Sequence, residues 1–164
     1  MAEGIKKVFQ TSLTDVASTD LEGLGTIRFE GNNIYKWVHL LNTTATAAVV
    51  VGDSIEYAAL TGYGLNKVVS DHTDAGAANT QICAGCAVGS VAGVKDTSYY
   101  IWVQIKGPVT TTKDLPGTAD GITITTSGGT GTGDGLFLAA AAGDSIAGVI
   151  IDESANTMIV DCPF

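Results

Sequence analysis

Residues 99–107 read YYIWVQIKG, and this stretch decides the fold class. Alternate side chains of an extended chain point to opposite faces. One face therefore carries Tyr99, Ile101, Val103 and Ile105, and the other carries Tyr100, Trp102, Gln104 and Lys106. The first set is apolar apart from one phenol, so the pattern predicts a β-strand with one face in a core.

A hairpin is predicted upstream of this strand. Residues 25–29 (GTIRF) and 34–41 (IYKWVHLL) flank the segment EGNN, in which Gly31 and Asn32 are the residue types that tight β-turns favour. In the second strand Tyr35, Trp37 and His39 share a face.

Composition extends this pattern to the whole chain. The 164 residues include 21 glycines, with 45% hydrophobic, 15% charged and 7% aromatic residues. Such a chain is long enough for one sizeable core, and frequent glycines between β-branched residues indicate short strands joined by turns. We predict an all-β fold with a compact body resembling a β-barrel or β-sandwich.

The chain divides into an arm and a body. Residues 1–23 have no sustained period and predict an extended N-terminal arm, and residues 24–164 predict a single β domain. Pro108, Pro116 and the polar residues between them predict a connector. The order of elements predicts two similar halves, 45–108 and 109–164. The first half contains, in order, the segments GDSIEYAA, LNKVVS, ICAGCAV and YIWVQIKGP. The corresponding segments of the second half, in the same order, are ADGITITT, DGLFLAA, IAGVIID and TMIVDCPF.

Charge argues against nucleic acid as a partner, and hydropathy argues against a membrane. Lysine and arginine total 8 against 17 acidic residues, a formal charge of -9. Nucleic-acid binding needs clustered cations, and the only adjacent basic pair is Lys6 and Lys7. No apolar run approaches the roughly 20 residues that span a bilayer, and the first residues lack the apolar stretch of a signal peptide. We therefore expect no nucleic acid, no membrane and synthesis in the cytoplasm.

The three cysteines predict buried, reduced thiols. Their odd number does not fit the disulfide framework of a small secreted domain. Cys83 and Cys86 have the C-x-x-C spacing of a redox motif or half a zinc site. However, only Cys162 and two distant histidines remain as further soft ligands, and the pair lies in a strand pattern. We predict no metal and no cofactor.

The block GDSI occurs twice, with serines at Ser54 and Ser145. It resembles the nucleophile block of GDSL-type lipases and esterases, which take a base from a later D-x-x-H motif. Here the only histidines are His39 and His72, and neither lies in such a motif. The residues favour a Gly-Asp turn in both copies, no catalytic residue and no enzyme.

Taken from end to end, the chain resembles the small capsid decoration, or cement, proteins of tailed bacteriophages. The resemblance rests on the succession of GIKKVFQTSLTD, GTIRF, VVVGDSIEYAA, YIWVQIKGP and MIVDCPF. It differs in the Cys83–Cys86 pair and in the glycine-rich run SGGTGTGDG at residues 127–135.

This resemblance implies an all-β homotrimer on the capsid exterior of the virion. Its partner would be the major capsid protein, whose neighbouring capsomers it would hold together, with no small-molecule substrate. We expect Lys6, Lys7 and Phe9 to become ordered on that partner.

Two alternatives remain open. One is a carbohydrate- or receptor-binding β module of a phage appendage, in which Trp37 and Tyr35 would stack on sugars if they are exposed. The other is a small hydrolase built on Ser54 or Ser145.

Overall fold

The computed structural model describes residues 7–42, 48–58, 66–69, 82–92, 97–115, 119–126, 135–142 and 144–162. Over these ranges the chain contains no helix and forms one continuous sheet of eleven strands, which confirms the all-β prediction. No helix capable of crossing a membrane is therefore found in the part described. The strands are β1 Val16–Ala17, β2 Ile27–Glu30, β3 Asn33–Asn42, β4 Ser54–Tyr57, β5 Lys67–Val69, β6 Cys83–Ala87, β7 Thr97–Thr110, β8 Thr123–Thr126, β9 Phe137–Ala139, β10 Gly148–Asp152 and β11 Thr157–Asp161.

Five of these strands close into a barrel. The pairing runs β3-β5-β4-β6-β7, and β7 pairs again with β3 to complete the circle. The β3–β5 pair is parallel and the other four pairs are antiparallel. Closure leaves these strands without free edges, so the barrel forms a stiff body.

The barrel interior is filled by side chains from all five strands. It contains Val38 of β3, Tyr57 of β4, Val68 of β5 and Ala84 of β6, together with Ile101, Val103 and Ile105 of β7, and all seven are buried. Tyr99 packs partly buried against the same cluster. The apolar face predicted from YYIWVQIKG is therefore the core face, as expected.

A second unit extends the sheet beyond β7 in the order β11-β10-β8-β9. Its pairing order repeats that of the barrel. In the barrel, β4 pairs with β5 and with β6, and β6 pairs with β7. In the second unit, β8 pairs with β9 and with β10, and β10 pairs with β11. All six of these pairs are antiparallel. The two closing strands, β7 and β11, pair with each other. The two units thus share one order of strand pairing, and the duplication of the two halves stays a prediction.

A glycine occupies the same place in each unit. A Cβ atom on Gly85 of β6 would lie 2.7 Å from the carbonyl oxygen of Gln104, on the closing strand β7. One on Gly148 of β10 would lie still closer to the carbonyl oxygen of Ile159, on the closing strand β11. In both units the backbones approach too closely for any side chain at this position.

We expect Gly148→Ala to lower the free energy of unfolding by about 2 kcal/mol, because the new methyl group must displace the β11 backbone. Gly31→Ala is the matched control, since Gly31 has a φ of 58° and no atom lies within 4 Å of the position that its new methyl group would occupy. The control should cost about 1 kcal/mol for its left-handed backbone alone. Denaturant unfolding measures both changes, and a loss at Gly148 no larger than at Gly31 would contradict the packing described.

The outer face of β3 and β7 carries an aromatic strip. Trp37 lies opposite Trp102 in register, and their ring centroids are 5.2 Å apart. His39 lies opposite Tyr100, and these rings stack at 4.6 Å. Both tryptophans are fully buried, so this face is covered although it lies outside the barrel.

The N-terminal segment covers the strip. The Phe9 ring meets Trp102 edge-on at 5.6 Å, and the Trp102 Nε1 donates a hydrogen bond of 2.9 Å to the Thr11 Oγ1. Asp20 accepts a 2.9 Å hydrogen bond from the Trp37 Nε1. From Lys7 onward the extended arm therefore lies along the barrel, because two indoles on an outward face need both apolar cover and acceptors for their N–H groups.

One prediction about the chain path is wrong. The sequence predicts that a connector begins at Pro108, but β7 continues through Pro108 to Thr110, and Pro108 is in register with Ile159 of β11. The β3 pairing ends at Lys106, so Pro108 lies where β7 is paired on one edge only. A proline without an N–H is tolerated at such an edge. Pro116, the predicted end of the connector, lies outside the described residues.

Candidate interaction surface

An aliphatic patch lies on the outer face of the second unit. Val149 of β10 is in register with Ile159 of β11, which is in register with Pro108 of β7. The exposed fraction is 37% for Val149 and 46% for both Ile159 and Ile151, and Pro108 is also exposed. We call Val149, Ile151, Ile159 and Pro108 the aliphatic patch. Adjacent exposed apolar side chains, unlike scattered ones, are typical of an interaction surface.

The strands β10 and β11 carry apolar residues on both faces. The inward residues Ile150, Met158 and Val160 are buried in the core of the second unit. Strands with one solvated face normally place polar residues at the outward positions. Val149, Ile151 and Ile159 occupy outward positions instead, and packing in the core does not explain why these residues are aliphatic.

Charged side chains border the patch without entering it. Lys106 is in register with Asp161, next to the Pro108–Ile159 pair, and its Nζ lies 3.1 Å from the Asp161 Oδ1. Both side chains are about half exposed or more, so the pair contributes little stability. The patch itself carries no formal charge on a chain of charge -9. It can therefore meet a partner without requiring opposite charge there.

Of the three residues predicted to contact a partner, Lys7 and Phe9 have contacts within the chain. Lys6 lies outside the described residues. The Lys7 Nζ donates 2.9 Å hydrogen bonds to the carbonyl oxygen of Glu22 and to the Thr26 Oγ1. Phe9 is half-buried, and the Arg28 guanidinium carbon lies 4.8 Å from its ring centroid. Contact of these side chains with a partner stays a prediction.

Ser54, the serine of the first GDSI block, is buried at the junction of the barrel and the second unit. Its hydroxyl donates a 2.9 Å hydrogen bond to the carbonyl oxygen of Leu136. The preceding Asp53 closes a turn with Val50, accepting the Val50 N–H at 3.0 Å and donating its own N–H back at 3.1 Å. Its carboxylate also pairs with the Lys113 Nζ at 3.0 Å. This block forms a turn that leads into β4.

Asp144 of the second GDSI block, which contains Ser145, makes the same pair of hydrogen bonds with Ala141. The Asp144 carboxylate accepts the Ala141 N–H at 2.7 Å, and the Asp144 N–H donates to the Ala141 carbonyl oxygen at 3.2 Å. The same reciprocal pair of bonds links Ser12 and Asp15 in the N-terminal segment. The motif is thus a recurrent aspartate-closed turn, as the Gly-Asp spacing predicted.

The condition on which sugar stacking depends in the alternative function, exposure of Trp37 and Tyr35, is not met. Trp37 is fully buried and Tyr35 is 7% exposed, because the N-terminal segment covers them. His39, on the same face, is half-buried against Tyr100. Burial, reinforced by Lys67, lowers the pKa of His39, and Asp20 acts in the opposite direction. These rings stabilise the fold and offer no flat aromatic surface to a ligand.

All three cysteines are buried, and they share the core of the second unit. No cluster of histidine, cysteine, aspartate or glutamate suited to a metal ion occurs within the described ranges. His72 and residues 127–134 of the glycine-rich run lie outside those ranges.

Sequence reasoning missed the aliphatic patch. The signal was present in GVIID and TMIVD, where apolar residues occupy consecutive positions and both faces must therefore be apolar. Such a run equally fits a strand buried on both faces. Only the packing in the folded chain, which leaves Val149, Ile151 and Ile159 exposed, distinguishes the two cases. No family model, curated protein or solved structure matches the chain.

Proposed function

We propose that this chain is a structural virion protein that binds the outer surface of a tailed-bacteriophage capsid and stabilises the contacts between capsomers. The observation that carries the proposal is the aliphatic patch on a closed, acidic β body. The resemblance of the succession of sequence segments to that of decoration proteins supports the same role.

Cementing is a mechanical task, and the barrel suits it. A protein that bridges two capsomers must resist deformation, and a closed barrel with a filled interior resists it better than an open sheet. It must also remain dispersed until it meets the shell, and a charge of -9 keeps copies apart in solution. The uncharged patch then supplies the apolar contact on which binding depends.

The proposal places the major capsid protein against the aliphatic patch. A homotrimer is proposed for the bound form, since threefold positions of a shell are matched by threefold partners. Lys6, with Lys7 and Phe9, remains a second proposed contact. Deletion of residues 1–12 is a poor test of it, because Phe9 and Thr11 cover Trp102. Deletion of residues 1–6 avoids that damage and tests the contribution of Lys6 alone.

We expect Val149→Lys combined with Ile159→Lys to weaken binding to expanded capsid shells at least tenfold. A tenfold loss corresponds to about 1.4 kcal/mol, the scale of a buried aliphatic contact at an interface. Val51→Lys is the matched control, because Val51 is 39% exposed, close to the 37% of Val149, but lies in the turn before β4. Co-sedimentation with expanded shells of the major capsid protein from the same phage measures the change.

The co-sedimentation results test the proposed function and the role of the aliphatic patch separately. Absence of co-sedimentation by the unaltered chain would overturn the proposed function. Binding that is equally strong for the double variant and for Val51→Lys would leave the function standing and overturn the role of the patch. Binding of glycans without affinity for shells would replace the proposal by the receptor-binding alternative.

A further inference from the structure

The spatial neighbour of Cys83 is Cys162, not its C-x-x-C partner. The Sγ atoms of Cys83 and Cys162 are 2.6 Å apart, although the residues are 79 positions apart in sequence. The Cys86 Sγ is directed elsewhere and donates to the carbonyl oxygen of Gly52 at 3.1 Å. The pairing suggested by sequence spacing is therefore not the one that the fold brings together.

The sheet topology creates this contact. Along one edge of β7, the strand β6 pairs at Val103 and Gln104, and β11 pairs from Lys106 onward. The N–H of Cys162 then donates to the carbonyl oxygen of Ile105, between those two pairings. Cys162 thus lies in the fork where β6 separates from β7, at the junction of the barrel and the second unit.

A β-bulge places both cysteines of β6 on the face that packs against the core of the second unit. Strict alternation would place Cys83 and Cys86 on opposite faces. The register of β4 against β6 shifts between Ile55 and Glu56, and Gly85 in the facing strand has a φ of 139°. Both thiols consequently enter the core of the second unit, where Cys162 is also buried.

We propose that Cys83 and Cys162 form a disulfide bond that joins the end of β11 to β6, and that Cys86 remains a free thiol. The two sulfur atoms are much closer to each other than to the carbonyl oxygens that they also contact, which lie 3.8 Å from the Cys83 Sγ and 3.7 Å from the Cys162 Sγ. The inference is independent of the proposed function.

The bond requires an oxidant, for which a low-molecular-weight disulfide suffices. One cysteine thiolate attacks that disulfide and releases one small thiol, forming a mixed disulfide. The second cysteine thiolate then attacks the protein sulfur and releases the other small thiol. Two protein thiols are oxidised, and one small disulfide is reduced to two thiols.

Burial determines when this exchange takes place. Desolvation raises the pKa of Cys162 well above its ordinary value, so the reactive thiolate is scarce in the folded chain. The exchange therefore proceeds during folding, before β11 covers the site. Once the chain has folded, the bond is shielded from reductants by the same burial.

The test is to refold the chain with oxidised glutathione, then denature it and alkylate free thiols. We expect alkylation of one cysteine of the three, a protein mass lower by two hydrogens, and a cross-linked peptide containing Cys83 and Cys162. The thermal midpoint should exceed that of the reduced chain by about 10 °C, because the bond closes a long loop. Alkylation of three cysteines, or a cross-link between Cys83 and Cys86, would overturn the proposal.

Two variants serve as controls. Cys86→Ala removes the third thiol and should retain the cross-link. Cys162→Ala should abolish the cross-link and leave two thiols open to alkylation. The peptide map of the unaltered chain decides the question even if a variant fails to fold.

Discussion

Trp102→Ala is expected to lower the free energy of unfolding by about 3–5 kcal/mol, the range for removal of a buried indole. Trp102 is fully buried and contacts both the Trp37 ring and the Phe9 ring. Its N–H also donates to the Thr11 hydroxyl. The substitution therefore leaves a large cavity between the barrel and the segment that covers it. Equilibrium denaturation in urea measures the loss.

Two milder variants divide this effect into its parts. Trp102→Phe keeps a ring but removes the N–H, so it should lose the hydrogen bond, about 1 kcal/mol, and some packing. Phe9→Ala should cost less than Trp102→Ala, since Phe9 is only half-buried. A loss below about 1 kcal/mol for Trp102→Ala, well under the range for a buried ring, would mean that the N-terminal segment does not seal the aromatic strip in solution.

Stability is expected to fall as pH rises from about 4.5 to 7, owing to Glu56. Its side chain is 4% exposed, on the side of β4 that faces the second unit. Burial raises its pKa to about 7 from 4.5, opposed by a hydrogen bond from Thr126. The folded state therefore holds a proton that the unfolded chain releases in this window. The contribution of this proton to the free energy of unfolding is complete below the pKa of Glu56 in the unfolded chain. It is lost as pH rises through the pKa of the folded state, and it amounts to about 3 kcal/mol.

Glu56→Gln should remove this pH dependence and make the chain more stable than the parent at a pH of about 8, above the folded pKa. Glu30→Gln removes the same charge from a side chain that is 44% exposed on β2, and it controls for net charge. Denaturation midpoints at about pH 5 and about pH 8 bracket the folded pKa and give the comparison. If parent and Glu56→Gln lose equal stability between these values, the carboxyl group does not titrate in that window.

The two long strands of the barrel, β3 and β7, can be predicted because their sequences alternate clearly. The period of two alone assigns Trp37 and Trp102 to the correct faces of β3 and β7. Their burial is not predictable, because the cover is an irregular segment whose apolar residues follow no period. That cover depends on single contacts, such as Phe9 on Trp102, that form only in the folded chain.

The Cys83–Cys162 contact is hidden from sequence for a different reason. A bulge changes which face of the sheet a residue occupies. The local sequence around Gly85 does not show at which position the extra residue of the bulge is inserted. The neighbour of Cys83 further depends on the order of strands around β7, a long-range property. The aliphatic patch is hidden likewise, because the packing of the folded chain determines which face of β10 is covered.

The sheet ends on short strands, and this limits uncontrolled polymerisation. Its terminal strands, β2 and β9, have four and three residues. A long bare edge invites another chain to add a strand, which leads to fibres and precipitates. Edges this short give such growth few hydrogen bonds to start from, and Arg28 and Glu30 place charges on one of them. Copies of the chain can therefore accumulate to high concentration without seeding aggregates.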